Sequence, residues 1–207
     1  MAKLQRESIV GVLLAGGRSR RMGGGDKCLK QLGETTLLAR AQERAQAQVG
    51  YLILSANGDP GRFREAGLPV VADLDPAHGG PLAGLLSAMV WTAAMRPAAS
   101  HVATFATDTP FFPRDLVARF CDSLSEGDCA VAQSGGQAHP TFGLWPVRLR
   151  QALRDFLDGG GRRANDWAAL QMARPVSFDT GPDNLFFNVN TPDDLAVAAT
   201  MAALISD

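Results

Sequence analysis

Short apolar runs alternate with longer amphipathic segments along the chain. Five runs are short and continuous enough to predict buried strands, at 9–14, 51–55, 70–72, 102–106 and 130–132. Three Ala- and Leu-rich segments with helical spacing lie between them, at 36–46, 81–95 and 114–124. This alternation predicts the α/β class, as a single three-layer α/β/α domain with a mostly parallel sheet covered by helices on both faces.

The second half of the chain has a weaker pattern. Segments 135–140, 159–166 and 179–184 are rich in turn residues. Residues 187–190 predict a short strand, followed by a C-terminal helix that starts at Thr191. Ligands of mostly parallel sheets bind at the carboxyl ends of the strands, beside a switch in strand order. The chemically informative motifs of this chain are therefore sought at strand ends.

Length and composition limit the class of partner. A chain of 207 residues fits one domain, and its net charge of −1 does not indicate nucleic acid or an acidic membrane surface. No apolar run reaches the roughly 20 residues of a membrane span, and the apolar stretch near the N-terminus is too short for a signal peptide. The three cysteines form no Cys-x-x-Cys pair, and the three histidines lack metal-ligand spacing. We expect a soluble, cytoplasmic protein without a zinc site, whose partner is a small molecule.

A glycine-rich basic loop follows the first predicted strand. Residues 14–27 read Leu-Ala-Gly-Gly-Arg-Ser-Arg-Arg-Met-Gly-Gly-Gly-Asp-Lys, with five glycines, three arginines and a lysine. Glycines let backbone N–H groups approach an anion, and the arginines and Lys27 supply positive charge. A flexible surface turn would explain neither this density nor the position after a strand. The loop therefore predicts a phosphate-binding site.

The loop does not match two familiar nucleotide motifs. The ATPase loop requires Gly-Lys-Ser/Thr, whereas this chain reads Gly-Asp-Lys-Cys at 25–28. The dinucleotide fingerprint requires a third glycine where Cys28 stands. What remains is a longer, more basic loop, long enough to surround a triphosphate together with its acceptor.

A carboxylate follows the strand predicted at 102–106. Asp108 lies in the sequence Thr-Asp-Thr-Pro, at a strand end where a magnesium ligand would face the glycine-rich loop. Mg²⁺ takes one or two protein carboxylates and completes its coordination with substrate phosphates and water. The alternative is a turn residue that precedes Pro110.

A second loop follows the strand predicted at 70–72 and ends in Gly79-Gly80-Pro81. Pro81 suits the first turn of a helix, whose N-terminus offers backbone donors to an anion. Asp73 is suited to accept hydrogen bonds from N1–H and N2–H of guanine. Asp75 is an alternative acceptor, and either carboxylate can instead be a solvated turn residue.

The segment Asn188-Val-Asn-Thr-Pro-Asp-Asp has the form of a helix start. Thr191 or Asn190 is the predicted cap, and the two aspartates complement the helix dipole. Capping leaves Asn188 unexplained. Strand alternation places Asn188 and Asn190 on one face, where both amides can contact a ligand. The 139–141 and 161–163 segments are weaker candidates for contacts with the acceptor.

These motifs, in this order, resemble those of the molybdenum cofactor guanylyltransferase family over nearly the whole chain. The 14–27 loop is the specific match, and the motifs at 80–84, 107–110 and 188–192 are shared more loosely with related nucleotidyltransferases. The resemblance implies a Rossmann-like nucleotidyltransferase sheet in one domain over residues 1–207. In it, about 1–110 would bind the nucleotide and about 111–207 the pterin acceptor.

The resemblance also implies roles for individual residues. It places Mg²⁺ at Asp108 and assigns catalysis to Lys27, Asp108 and Arg21. The residues that would bind substrate are Leu14, Ala15, Gly16, Gly17, Lys27, Asn57, Asp73, Gly80, Pro81, Leu82, Asp108, Asn188 and Asn190. Arg21, Asn188 and Asn190 would lie on the pterin side.

The implied reaction is attack by the terminal phosphate of molybdenum-bearing molybdopterin on the α-phosphate of GTP, with release of pyrophosphate. Molybdoenzyme apoproteins or their chaperones would receive the product. Three alternatives stay open: a cytidylyltransferase acting on the same pterin, a sugar-phosphate nucleotidyltransferase, and a non-catalytic cofactor carrier that binds GTP.

Overall fold

A computed structural model describes residues 4–16, 24–75, 77–125, 128–178 and 185–204. Within these residues, seven strands form the central sheet in the order β5-β4-β1-β6-β8-β7-β9, and β2 and β3 form a separate antiparallel pair. The strands are β1 (Ile9–Leu14), β2 (Gln31–Leu32), β3 (Thr35–Thr36), β4 (Tyr51–Ser55), β5 (Val70–Val71), β6 (His101–Ala106), β7 (Ala130–Ser134), β8 (Gln137–Pro146) and β9 (Arg174–Ser177).

The described residues form six α-helices and four short 3₁₀ segments. The helices are α1 (Leu37–Gln46), α2 (Pro81–Met95), α3 (Leu116–Ser123), α4 (Arg150–Asp158), α5 (Ala164–Leu170) and α6 (Pro192–Leu204), and the 3₁₀ segments are Arg6–Ser8, Lys27–Leu29, Pro60–Ala66 and Val147–Leu149. None of these helices combines the length and apolar character that crossing a bilayer requires.

Alternation along the strands divides the core between the two faces of the sheet. On β1, Ile9 and Leu13 point into the cluster that includes residues of α1 and α3, whereas Val10 and Val12 point into the cluster built with α2, α4 and α5. Both faces are apolar because helices cover both. The predicted three-layer α/β arrangement is confirmed.

Four parallel strands define the edge at which the loops meet. β4 and β6 both pair in parallel with β1, and β5 pairs in parallel with β4. The chain passes from β1 to β4 and β5 on one side of β1, and then crosses to β6 on the other side. The end of β1 is therefore a switch point in strand order. The loops after β1, β4, β5 and β6 all begin at this edge.

The second half of the sequence forms a strand and a helix where turns were expected. The long strand β8 runs antiparallel to both β6 and β7, with a register shift in the β7 ladder between Val131 and Ala132. Residues 137–140, expected in a turn, open this strand, and α5 occupies part of the expected turn at 159–166. Pairing within the sheet overrides the turn preference of Pro140 and its neighbours.

The strand predicted at 187–190 is also wrong. Val189 N–H donates to the loop carbonyl of Asp108 at 2.8 Å, so the segment docks on a loop rather than adding to the sheet. The helix expected from Thr191 is confirmed as α6. The turn residues predicted at 179–184 lie outside the described residues.

Candidate active site

A cleft lies at the carboxyl edge of β1, β4, β5 and β6. We call it the edge cleft; its volume is about 330 Å³. Its walls combine strand ends, loop residues and the start of α2. The lining residues are Leu14, Gly16, Ser55, Ala56, Asn57, Asp73, Gly79, Gly80, Pro81, Gly84, Ala106, Asp108 and Thr141.

Close packing sets the floor of the edge cleft. A methyl group on Gly84 would lie 2.6 Å from Ser55 Oγ and 3.0 Å from Leu14 Cδ2, so only glycine lets α2 approach the ends of β4 and β1 this closely. Thr107 Oγ1 donates to the carbonyl of Leu14 at 3.0 Å and ties the loop after β6 to the end of β1. The neighbours that exclude a side chain at Gly84 are thus residues at strand ends.

Asn57 and Asp73 form a hydrogen-bonded pair in the lining of the edge cleft. Asn57 Nδ2 donates to Asp73 Oδ2 at 2.7 Å, and the backbone N–H of Asp73 donates to Asn57 Oδ1 at 2.8 Å. These reciprocal bonds hold the Asp73 carboxylate in one orientation. A carboxylate has about four acceptor positions, so Asp73 retains capacity for donors from a ligand.

The N-terminus of α2 forms the next part of the wall. Gly79 and Gly80 have φ of +48° and +84°, a region that glycine adopts without strain, and Pro81 occupies the first turn as predicted. Gly79, Gly80 and Pro81 line the edge cleft, so the positive end of the helix dipole lies beside it, where an anion is favoured.

Lys27 and Asp108 form the charged centre of the site. Lys27 Nζ lies 2.7 Å from Asp108 Oδ2 and 2.6 Å from Asn190 Oδ1. Lys27 is only 9% exposed, so its ammonium group is held in place by these two oxygens rather than by water. Three segments far apart in sequence thus converge on one positive charge.

A capping interaction presents Asn190 to Lys27. Asp194 Oδ2 accepts from the backbone N–H groups of Asn190 and Thr191 at 2.8 Å, while Thr191 Oγ1 accepts from Asp194 N–H at 3.1 Å. These hydrogen bonds lower the pKa of Asp194, the one from Asn190 most strongly. The predicted Thr191 cap is confirmed, and it fixes the segment that carries Asn190.

Cys28 follows Lys27 and lies in the core. Burial, reinforced by the charge of Asp26, raises the pKa of its thiol to about 12. The thiol is therefore protonated at neutral pH and is no nucleophile. All three cysteines are free and buried.

Other predicted site residues have different surroundings. Ala15 and Leu82 are buried in the core, and the N–H of Ala15 is already bonded to the carbonyl of Ser55 at 2.9 Å. Asn188 is exposed beside buried Val189. Gly17 and Arg21 lie outside the described residues, as do Arg18 and Arg20.

The 139–141 segment is divided between two roles. Thr141 lines the edge cleft. His139 instead stacks on Phe186 with ring centroids 4.4 Å apart, and its Nε2 lies 2.7 Å from Ser134 Oγ. Burial lowers the pKa of His139, which favours the neutral ring.

Sequence reasoning missed Ser55 and Arg62. Ser55 carried a signal, because it is the polar residue that ends an otherwise apolar strand. Arg62 carried none, since it reaches both Asp26 and the carbonyl of Asn57 only in the folded chain.

The donor set for a metal ion is small. Among the described residues, no three His, Cys, Asp or Glu side chains come together in a way that would bind a metal. Asp108 is the carboxylate of the charged centre. A hard divalent cation that draws its remaining ligands from phosphates and water fits such a donor set.

Comparison with known proteins agrees with this geometry. Residues 11–173 match the family model of the MobA-like NTP transferase domain. Among solved structures, a nucleotidyl transferase from Methanothermobacter has a TM-score of 0.74 at 18% identity, covering 96% of this chain and 99% of that one. A molybdopterin-guanine dinucleotide biosynthesis protein A from Archaeoglobus fulgidus has a TM-score of 0.71 at 19% identity, covering 95% and 100%. At these identities, the two structures support the fold.

Curated relatives are much closer in sequence. The molybdenum cofactor guanylyltransferase of Nitrobacter hamburgensis is 49% identical over 197 residues, covering 94% of both chains. The protein of the same name from Mesorhizobium japonicum is 48% identical over 203 residues, covering 95% of this chain and 97% of that protein. Similarity of this degree over almost the full length identifies the family. The chain therefore belongs to the molybdenum cofactor guanylyltransferase family of MobA-like nucleotidyltransferases.

Proposed function

We propose that this nucleotidyltransferase transfers GMP from GTP to the terminal phosphate of molybdenum-bearing molybdopterin and releases pyrophosphate. The observation that carries the proposal is the arrangement of one cleft. The carboxylate–amide pair of Asp73 and Asn57 lines the cleft together with Asp108, and Asp108 contacts the buried Lys27. Family membership supports the same reaction.

At the base end, Asp73 would accept hydrogen bonds from N1–H and N2–H of guanine, while Asn57 keeps its carboxylate oriented. Cytosine presents an N4–H₂ donor beside an acceptor, which does not match two acceptor oxygens. The pair Asn57–Asp73 therefore favours guanine over cytosine.

At the phosphate end, Lys27, the N–H groups at the start of α2 and the glycine-rich loop would bind the triphosphate. Asp108 would hold a divalent cation, for which we propose Mg²⁺; when bound, it would neutralise charge on the α-phosphate and on pyrophosphate. The ammonium group of Lys27 would stabilise negative charge on the same oxygens. Arg21, Gly17 and Asn188 stay proposed ligands of phosphate or pterin.

The acceptor needs no general base, because its phosphate oxygens are ionised at neutral pH. The contribution of the protein is to bring two anions together in a fixed orientation. Asn190 and Thr141, which come from the second half of the chain, lie beside the first-half residues at the cleft. We place the pterin acceptor on that side.

The test is pyrophosphate release with molybdenum-loaded molybdopterin and Mg²⁺, run in parallel with GTP, CTP and ATP. GTP-selective release that Asp108→Ala abolishes, in a variant that stays folded, is the expected result. Preference for CTP would make the protein a cytidylyltransferase. Binding of GTP without release would favour a cofactor carrier.

A further inference from the structure

The side chain of Arg62 bridges two parts of the site. Arg62 Nη1 donates to Asp26 Oδ2, Nη2 donates to the carbonyl oxygen of Asn57, and Nε donates to the carbonyl oxygen of Asp59. All three guanidinium nitrogens are thus engaged. The guanidinium carbon also lies 5.0 Å from the ring centroid of Phe63, which is buried.

The two residues held by Nη1 and Nη2, Asp26 and Asn57, belong to the two parts of the proposed site. Asp26 directly precedes Lys27, whose ammonium group contacts Asp108 and Asn190. Asn57 holds the carboxylate of Asp73 in the lining of the edge cleft. Arg62, which does not line the cleft, therefore connects the backbone carbonyl of Asn57 to Asp26, the residue before Lys27.

The backbone is shaped to allow this bridge. Gly58 has a φ of +86°, and a Cβ at that position would lie 3.2 Å from Arg62 Nη2. Glycine thus lets the guanidinium approach the carbonyl of Asn57. A planar fork satisfies two acceptors in fixed directions, which an ammonium group does not reproduce.

We propose that Arg62 is a positioning residue that sets the spacing between the base-binding pair and Lys27. This inference rests on the proposed function, since it concerns how GTP bound at Asn57 and Asp73 presents its phosphates. Arg62 lies outside the cleft lining and would not touch the nucleotide. It acts through Asp26 and Asn57, and an ordinary exposed ion pair would have little effect.

The test compares Arg62→Met with Arg64→Met, an exposed arginine in the same 3₁₀ segment. We expect Arg62→Met to lower kcat for GTP about tenfold, the scale of a charge-assisted hydrogen bond, with an unchanged KM for the pterin and an unchanged melting temperature. Arg62→Lys should not rescue kcat, because it keeps the charge and loses the fork. Arg64→Met should behave as wild type.

A double-mutant cycle separates positioning from general damage. Asp26→Asn should cost about as much as Arg62→Met, and the double variant should cost about tenfold rather than about a hundredfold. Additive losses, rescue by Arg62→Lys, or a loss of kcat that tracks a lower melting temperature would overturn the proposal.

The same cycle is measured on the Kd for GTP in the absence of pterin, so that it does not depend on turnover. If wild-type protein releases no pyrophosphate, the proposed function fails. Non-additive weakening of GTP binding would still support the role of Arg62, and additive weakening or none would overturn it.

Discussion

The ammonium group of Lys27 is shared by an oxygen of Asp108 and an oxygen of Asn190. Burial makes this arrangement costly unless both contacts form, because a charge with little access to water needs partners. The positive charge is consequently held at one point beside Asp108 and Asn190 before substrate arrives. Such preorganisation costs no rearrangement at the moment of reaction.

Removing this charge should slow turnover strongly. Lys27→Met keeps most of the side-chain length, and we expect kcat to fall on the order of 10²–10³-fold. The measurement is the rate of pyrophosphate release at saturating GTP. Lys30→Met, at the end of the 3₁₀ segment that Lys27 begins, is the control and should stay close to wild type. A Lys27→Met enzyme that keeps half of the wild-type kcat would contradict the assignment.

His101 links stability to pH. Burial, assisted by the positive charge of Arg148, lowers the pKa of His101 from 6.5 to about 4. Between these pH values the unfolded chain binds a proton at His101 that the folded chain does not. The contribution of neutral His101 to the free energy of unfolding is therefore fully present above pH 6.5 and is lost as pH falls toward 4. The effect on the free energy of unfolding is at most about 3.5 kcal/mol, since one pKa unit corresponds to about 1.4 kcal/mol.

The His101→Gln variant isolates this effect. The difference in unfolding free energy between wild type and variant, measured by urea denaturation, should change in favour of the variant as pH falls from 7 to 4.5. Groups common to both proteins cancel in that difference. Parallel pH profiles for the two proteins would contradict the assignment to His101.

At the scale of elements, strand β1 is packed from both faces and carries Leu14 to the cleft. A methyl group on Gly11 would lie 2.8 Å from Leu52 Cδ1, 2.9 Å from Val49 Cγ2 and 3.1 Å from Phe105 Cε2. Three apolar neighbours from different segments thus close over this glycine. The absence of a side chain at Gly11 lets the strand lie against them.

Gly11→Ala should therefore destabilise the fold by about 1–3 kcal/mol, the usual cost of overpacking a core. Urea denaturation measures this loss. Val49→Ala should cost less in the Gly11→Ala background than in wild type, because it removes one of the crowded methyl groups. A Gly11→Ala protein as stable as wild type would show that the core accepts the methyl group.

Sequence pattern predicted the elements of the first half more fully than those of the second. The buried runs that became β1, β4 and β6 are continuous, and α2 was predicted over its observed range. β8 was missed because Pro140 and Gly143 interrupt its pattern. α4 was overlooked although Leu153, Phe156 and Leu157 have helical spacing, so that signal was available.

The site followed the same division. Lys27, Asp73 and Asp108 were predicted because charged residues at strand ends and in a glycine-rich loop point to ligand chemistry. Lys27 contacts Asn190, and Asp73 contacts Asn57, because segments distant in sequence meet in the fold. No local sequence pattern signals such contacts. The contact of Arg62 with Asp26 is of this second kind, because Asp26 lies 36 residues away.

At the scale of the whole molecule, one sheet extends through both halves of the sequence. The first half supplies Asn57, Asp73, Lys27 and Asp108, and the second supplies Thr141 and Asn190. The division into a nucleotide-binding part at about 1–110 and an acceptor-binding part at about 111–207 stays a prediction. It implies that nucleotide and acceptor meet near Asp108.

The most direct test follows the two ends of the triphosphate separately. GTP labelled at the α-phosphate and GTP labelled at the γ-phosphate are incubated in turn with the protein, Mg²⁺ and molybdenum-loaded molybdopterin. We predict that the α-label appears in a pterin–guanine dinucleotide and the γ-label in pyrophosphate, in equal amounts. Recovery of the α-label as free GMP or GDP, or unchanged GTP, would contradict the claim that this site transfers GMP.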